Sequence, residues 1–243
     1  MPVPIPVPMP MPMPVPVRPR DAASLLLLKP EGPGTVILMG RRPPTSSFIP
    51  DAFVFPGGKV DPQDRKLESP FPLEAETERG LRSGTGVTAR TARALANAAI
   101  RETYEETGLL LARPGDFRAQ GPGTWREFEQ KGLAPDHAAL RMIGRAITPS
   151  ASPVRYHARF FVASAAGVRG TLNANEELLD LAWYPLDEAL RLPIIDVTRL
   201  LIEEVARLGP LNTEGGGPPR PTRRAFVHYR GQLPTIQYEA SLG

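Results

Sequence analysis

Apolar and polar positions divide the chain into short runs of strand length and longer stretches with helical spacing. Residues 22–29 and 35–39 are two apolar runs separated by Pro30-Glu31-Gly32-Pro33-Gly34, and together they predict a β-hairpin. Residues 52–55 form a third, shorter run that enters Pro56-Gly57-Gly58. From Lys59 to Arg93 the chain is polar and rich in charge and glycine, with Phe71-Pro72-Leu73-Glu74-Ala75-Glu76-Thr77-Glu78 as its one stretch of short-helix composition. The pattern changes at Ala92, where an Ala-rich segment of high helix propensity begins. Its spacing predicts a helix starting between 87 and 91, capped by Thr88 or Thr91, burying Leu95, Ala98, Ala99 and Thr103 or Tyr104, and stopping at Thr107-Gly108.

Beyond this helix, residues 109–112 read as a strand or a helix exit, and 113–148 as loop with short helices around Trp125 and His137. Residues 153–163 predict a strand, 176–190 a strand followed by a Pro-started helix, and 194–208 an amphipathic helix with Ile195, Val197, Leu200, Leu201, Val205 and Leu208 on one side. After a Gly215-Gly216-Gly217 linker, residues 224–228 and 234–238 read as a closing pair of strands.

Composition adds bounds to this picture. The 243 residues suffice for one large domain or a domain with insertions, and the 41% apolar and 23% charged content is that of an ordinary globular chain. The 30 prolines concentrate near the N-terminus, where they alternate with Val, Met or Ile. Alternate prolines remove every second amide donor, so residues 1–18 are expected to be a disordered or polyproline II tail ahead of a single domain at 19–243. There are no cysteines, which excludes disulfides and thiolate metal sites. No apolar run reaches the length of a membrane span, and no secretory leader is recognisable, so a cytoplasmic protein is expected. The formal charge of +3 favours anionic substrates without indicating nucleic-acid binding.

The candidate chemistry lies at the end of the Ala-rich helix. At about 100° per residue, Glu102, Glu105 and Glu106 fall within roughly 100° of arc, so three carboxylates share one face. Like charges at such spacing repel, and a hard divalent cation turns that repulsion into attraction. Gly57 and Gly58 permit close backbone approach to a ligand. His137 and His157 lack ligand-like spacing and read as surface or packing residues.

Arg101-Glu102-x-x-Glu105-Glu106-x-Gly108-Leu109, with Gly57-Gly58 upstream, resembles the Nudix box of the Nudix hydrolases. The resemblance implies an α/β/α sandwich with a mixed sheet carrying the loop-helix-loop. It also implies cleavage by water of a nucleoside diphosphate linked to another moiety, with Mg²⁺ or Mn²⁺ held by Glu102, Glu105 and Glu106, and Glu102 as ligand or base. Arg101 would act in the catalytic machinery by pairing with a carboxylate, and Arg41, Arg42 and Arg155 become candidate phosphate contacts. Asp64 stands where the family has Glu, and 36 residues separate it from Arg101 where the family has seven, which marks an insertion at about 65–93. That insertion, Ile147-Thr148-Pro149 and the segment at 176–190 resemble the coenzyme A diphosphatase branch, although Ser47 and Asp51 occupy places where that branch's upstream motif requires Arg and Gly. Coenzyme A or acyl-coenzyme A is therefore the leading substrate expectation, with ADP-ribose, NADH or capped RNA as alternatives. A non-catalytic nucleotide-binding module is the competing class. Glu176 or Glu177 could supply an outer ligand, and the resemblance allows a homodimer without specifying an interface.

Overall fold

The computed structural model describes residues 17–173, 176–209, 211, 218, 220–231 and 233–240. The proline-alternating stretch 1–16 and the linker glycines 215–217 lie outside the described residues. Two long strands, β1 (Arg20–Glu31) and β2 (Gly34–Arg41), form the expected hairpin, with Glu31 opposite Gly34. β3 (Phe53–Val54) pairs with β2, and β4 (Gly57–Lys59) pairs antiparallel with β1. The Gly57-Gly58 segment, expected as a loop, is thus hydrogen-bonded strand.

Helix α1 (Ala75–Arg82) lies within the insertion, and α2 (Ala89–Thr107) is the Ala-rich helix. The Thr88 side chain accepts from the Thr91 amide to cap α2, and Gly108, at φ 75°, ends it in the left-handed region. The chain continues through β5 (Leu110–Pro114), α3 (Thr124–Gln130), β6 (Leu133–Pro135), β7 (Arg141–Ile147), β8 (Tyr156–Ser164) and the short β9 (Val168–Arg169). β7 falls in a stretch whose pattern reads as loop, because its two arginines and its glycine break the apolar run. The remaining elements are β10 (Leu179–Pro185), α4 (Leu186–Ala189), α5 (Asp196–Arg207), β11 (Arg223–Arg230) and β12 (Leu233–Ala240).

The main sheet runs β10-β2-β1-β8-β7-β11-β12. β1 pairs parallel with β8 and β7 parallel with β11, while the other pairs are antiparallel, so the sheet is mixed. One face packs on α2 through Leu25, Leu27, Phe161, Leu95 and Ala99; the other packs on α5 through Leu26, Leu28, Phe160, Leu201 and Val205. This is an α/β/α sandwich. Leu25 to Leu28 are all at most 1% exposed because β1 is central and covered on both faces, which is why its sequence is a continuous apolar run. Each such leucine contributes about 1.5–3 kcal/mol of burial. None of the helices among the described residues is long and apolar enough to cross a membrane.

Candidate active site

Helix α2 carries two adjacent stripes at i, i+4 spacing, Arg101 with Glu105 and Glu102 with Glu106. The first is a bracing stripe. Arg101 is buried and donates from Nε to Asp64 Oδ1 and from Nη2 to Asp64 Oδ2, both at 3.0 Å. Nη1 donates to Glu105 Oε2 at 2.7 Å, and Nη2 also donates to the Lys59 carbonyl at 3.0 Å. Asp64, 1% exposed, accepts two further bonds, from Trp125 Nε1 at 3.1 Å and from the Asp61 amide at 2.8 Å. Four donors therefore compensate a desolvated carboxylate, which is the condition for burying such a pair. The surrounding carboxylates, Asp64 first through its hydrogen bonds, raise the Arg101 pKa against the opposing effect of burial.

The insertion does not displace Asp64, because its ends are tied to α2. Asn97 Nδ2 donates to the Asp64 carbonyl at 2.9 Å and to the Leu67 carbonyl at 3.1 Å. Its Oδ1 faces His137 Nε2 at 2.7 Å, so His137 carries its proton on Nε2. His137 is fully buried and packs as a brace, and burial pushes its pKa down to about 3. Asn97, Trp125 and Thr124, whose hydroxyl bonds Glu105, are site residues that sequence reasoning missed. A buried Asn in an Ala-rich helix face was the one available signal.

The second stripe faces a cleft of about 520 Å³. Glu102 and Glu106 line it together with Gly57, Gly58 and Arg42, and Phe48, Ile147, Tyr156, Ile195, Val197 and Tyr229 add apolar and aromatic wall. Glu106 Oε2 accepts the Gly57 amide at 2.8 Å. A Cβ on Gly58 would lie 2.5 Å from the Glu102 carboxyl, and one on Gly57 would lie 2.4 Å from the Ala23 carbonyl oxygen. Both glycines are required by close approach rather than by a turn. Burial pushes Glu106 up to about 8; the Gly57 amide and Arg42 oppose this, and Glu102 and Glu177 add to it. Burial likewise pushes Glu102 up to about 7, with Arg101 opposing and Glu105 adding to it.

Two desolvated, mutually repelling carboxylates of hard oxygen donors fit a divalent cation that keeps water and substrate oxygens as its other ligands, as Mg²⁺ does. Among the described residues no three His, Asp or Glu side chains converge in a ready-made cage. Glu105 is absent from the cleft lining and is held by Arg101 and Thr124 instead.

Of the three arginines expected at phosphate, only Arg42 lines the cleft. Arg41 pairs with Asp180 at 2.7 Å and Asp51 at 3.1 Å, and Arg155 donates to the carbonyls of Thr148 at 3.2 Å and Val17 at 2.8 Å. Glu176 and Glu177 are exposed ahead of β10, and Glu177 acts on Glu106 by its charge.

The sequence profile of the NUDIX domain matches residues 18–205. Acyl-coenzyme A diphosphatase NUDT19 of Xenopus laevis is 24% identical over 207 residues, covering 63% of this chain and 53% of that protein. The protein of the same name from Gallus gallus is 32% identical over 145 residues, covering 48% of this chain and 38% of that protein. The chain thus spans about half or less of the length of these curated relatives. Among solved structures, a NUDIX hydrolase from Alicyclobacillus acidocaldarius superposes with a TM-score of 0.60 at 28% identity, covering 77% of this chain and 90% of that one.

Proposed function

The chain belongs to the Nudix family, and we propose that it hydrolyses the pyrophosphate linkage of a nucleoside diphosphate derivative, with coenzyme A or an acyl-coenzyme A as substrate. The observation that carries the reading is the pair Glu102 and Glu106, lining one cleft against the Gly57-Gly58 strand with Arg42 beside them. Glu102 and Glu106 would hold Mg²⁺ or Mn²⁺. When bound, such a cation neutralises diphosphate charge and makes a water nucleophilic near neutral pH.

The chain's own residues do the rest. Arg42 offers a guanidinium to a phosphate oxygen. The Gly57 amide fixes one Glu106 oxygen and leaves the other for the ligand. Arg101, locked to Asp64, positions α2 against β4 through the Lys59 carbonyl, so that the carboxylates are held before substrate arrives. The apolar part of the cleft lining suits an uncharged arm extending from the diphosphate, and the likeness to acyl-coenzyme A diphosphatases favours an acyl-pantetheine arm.

The test is a turnover screen of coenzyme A, acyl-coenzyme A, ADP-ribose and NADH with Mg²⁺ or Mn²⁺ and identification of products. Release of 3′,5′-ADP together with 4′-phosphopantetheine or its acyl form is expected. Turnover of ADP-ribose or NADH alone would move the substrate elsewhere in the class, and no turnover of any diphosphate with either metal would overturn the reading.

A further inference from the structure

A second cavity, of about 650 Å³, lies on the other face of β1 and β8. Side chains alternate along a strand: Ala22, Ser24, Ala158 and Phe160 line the catalytic cleft, whereas Asp21, His157 and Arg159 face this second cavity. Its wall includes Arg18, Arg20, Lys59, Arg65 and Arg159, with Asp21 as the one carboxylate among its described lining residues.

The charges do not cancel. Asp21 is already shared, accepting Arg159 Nη1 at 3.1 Å and Arg65 Nη2 at 3.2 Å. The side chains of Arg18, Arg20 and Lys59 have no hydrogen-bond or ion-pair partner among the described residues. Arg159 is 2% exposed, and its Nε is buried without a hydrogen-bond partner among the described residues. Burial, joined by the Arg145 charge and opposed by Asp21, lowers its pKa to about 10, a penalty that an anion in the cavity would relieve. Thr91, in the first turn of α2, also lines the wall, where the positive end of a helix favours an anion.

We propose that this cavity binds a phosphorylated small molecule through Arg20, Arg65 and Arg159, at a site separate from the catalytic cleft. The remaining wall, Arg65 with Thr85, Gly86, Val87 and Thr91, comes from the stretch between Asp64 and Arg101. The insertion thereby gains a role, which is to close an anion site onto the back of the sheet. Lys59, next to Gly58, lines both cavities and stands between them.

The probe is inorganic pyrophosphate, titrated calorimetrically into the full chain with divalent metal removed by EDTA, so that the readout does not depend on turnover. Saturable one-to-one binding is expected. Replacing the exposed Arg20→Gln and Arg65→Gln together should weaken it by about tenfold or more, as loss of charge-assisted hydrogen bonds does, while Glu102→Gln leaves it within about twofold. Amide resonances of Thr85, Gly86, Val87 and His157 should shift on titration. The proposal fails if pyrophosphate does not bind, or if the double variant binds as the parent does. It also fails if shifts are confined to Phe48, Ile147 and Tyr229, or if Arg118→Gln with Arg230→Gln, exposed elsewhere, weakens binding equally.

Discussion

Asp64 and Arg101 are separated by 36 residues of sequence, yet they meet through two parallel hydrogen bonds of 3.0 Å in a site where Asp64 is 1% exposed. A fork-to-carboxylate pair of this kind is directional as well as strong. It fixes where the loop after β4 ends and how α2 is rotated, and through that rotation it decides which carboxylates face the cleft.

Removing one member of this pair leaves the other charged and buried. Asp64→Ala is expected to destabilise the fold by about 3–5 kcal/mol. Urea unfolding followed by circular dichroism checks this; a loss below about 1 kcal/mol would mean that Glu102, Glu105 and the Lys59 carbonyl suffice to compensate the Arg101 charge.

Neighbouring glycines should fail in different ways. Gly57→Ala puts a methyl 2.4 Å from the Ala23 backbone oxygen, which cannot yield without shifting β1, so a stability loss of about 1–3 kcal/mol is expected. Gly58→Ala instead meets the Glu102 carboxyl, the end of a side chain that can move. Folding should survive while kcat falls about 100-fold through misplacement of that carboxylate. Thermal unfolding and steady-state kinetics on the two variants separate the cases.

Glu105 and Glu106 are adjacent in sequence but should differ in effect. Glu106→Gln removes a carboxylate that lines the cleft, whereas Glu105→Gln weakens a brace on Arg101. Mn²⁺ affinity, read by electron paramagnetic resonance, is expected to fall about tenfold in Glu105→Gln, as for a group that orients a ligand, and further in Glu106→Gln. The reverse order would reassign the metal stripe.

His137 sets an acid limit. Its folded pKa of about 3 lies below the ordinary value of 6.5, so between these the unfolded chain binds a proton that the native chain refuses. The stability it contributes is complete above pH 6.5 and is lost as pH falls toward 3, at about 1.4 kcal/mol per pH unit. Between pH 6.5 and 5 the loss is about 2 kcal/mol. His137→Gln, which keeps a donor for Asn97, should flatten this slope in denaturant titrations at a series of pH values; an unchanged slope would place the acid sensitivity elsewhere.

The Ala-rich helix was readable to within a few residues, with Thr88 or Thr91 as its cap, of which the structure uses Thr88, and Gly108 as its stop, because capping and termination depend on atoms three or four residues away. The hairpin of β1 and β2 was readable for a similar reason. β4 and β7 were not, since a glycine-rich segment and an arginine-bearing one become strands only when a neighbouring strand supplies the ladder. The cationic wall of the second cavity gave no sequence signal, because Arg20, Arg65 and Arg159 are brought together by parallel pairing of β1 with β8 and by closure of the insertion.

Sequence by itself determined that Glu102, Glu105 and Glu106 share a helix face, since that is a local fact of spacing, whereas the distant Gly57-Gly58 segment was tied to them only by the family resemblance. Tertiary structure decided that Glu102 and Glu106 turn to the cleft while Glu105 braces Arg101. Helical periodicity orders side chains around an axis but leaves its rotation open. That rotation is set by the packing of α2 on the sheet and by Asp64, held across the insertion by Asn97 and Trp125.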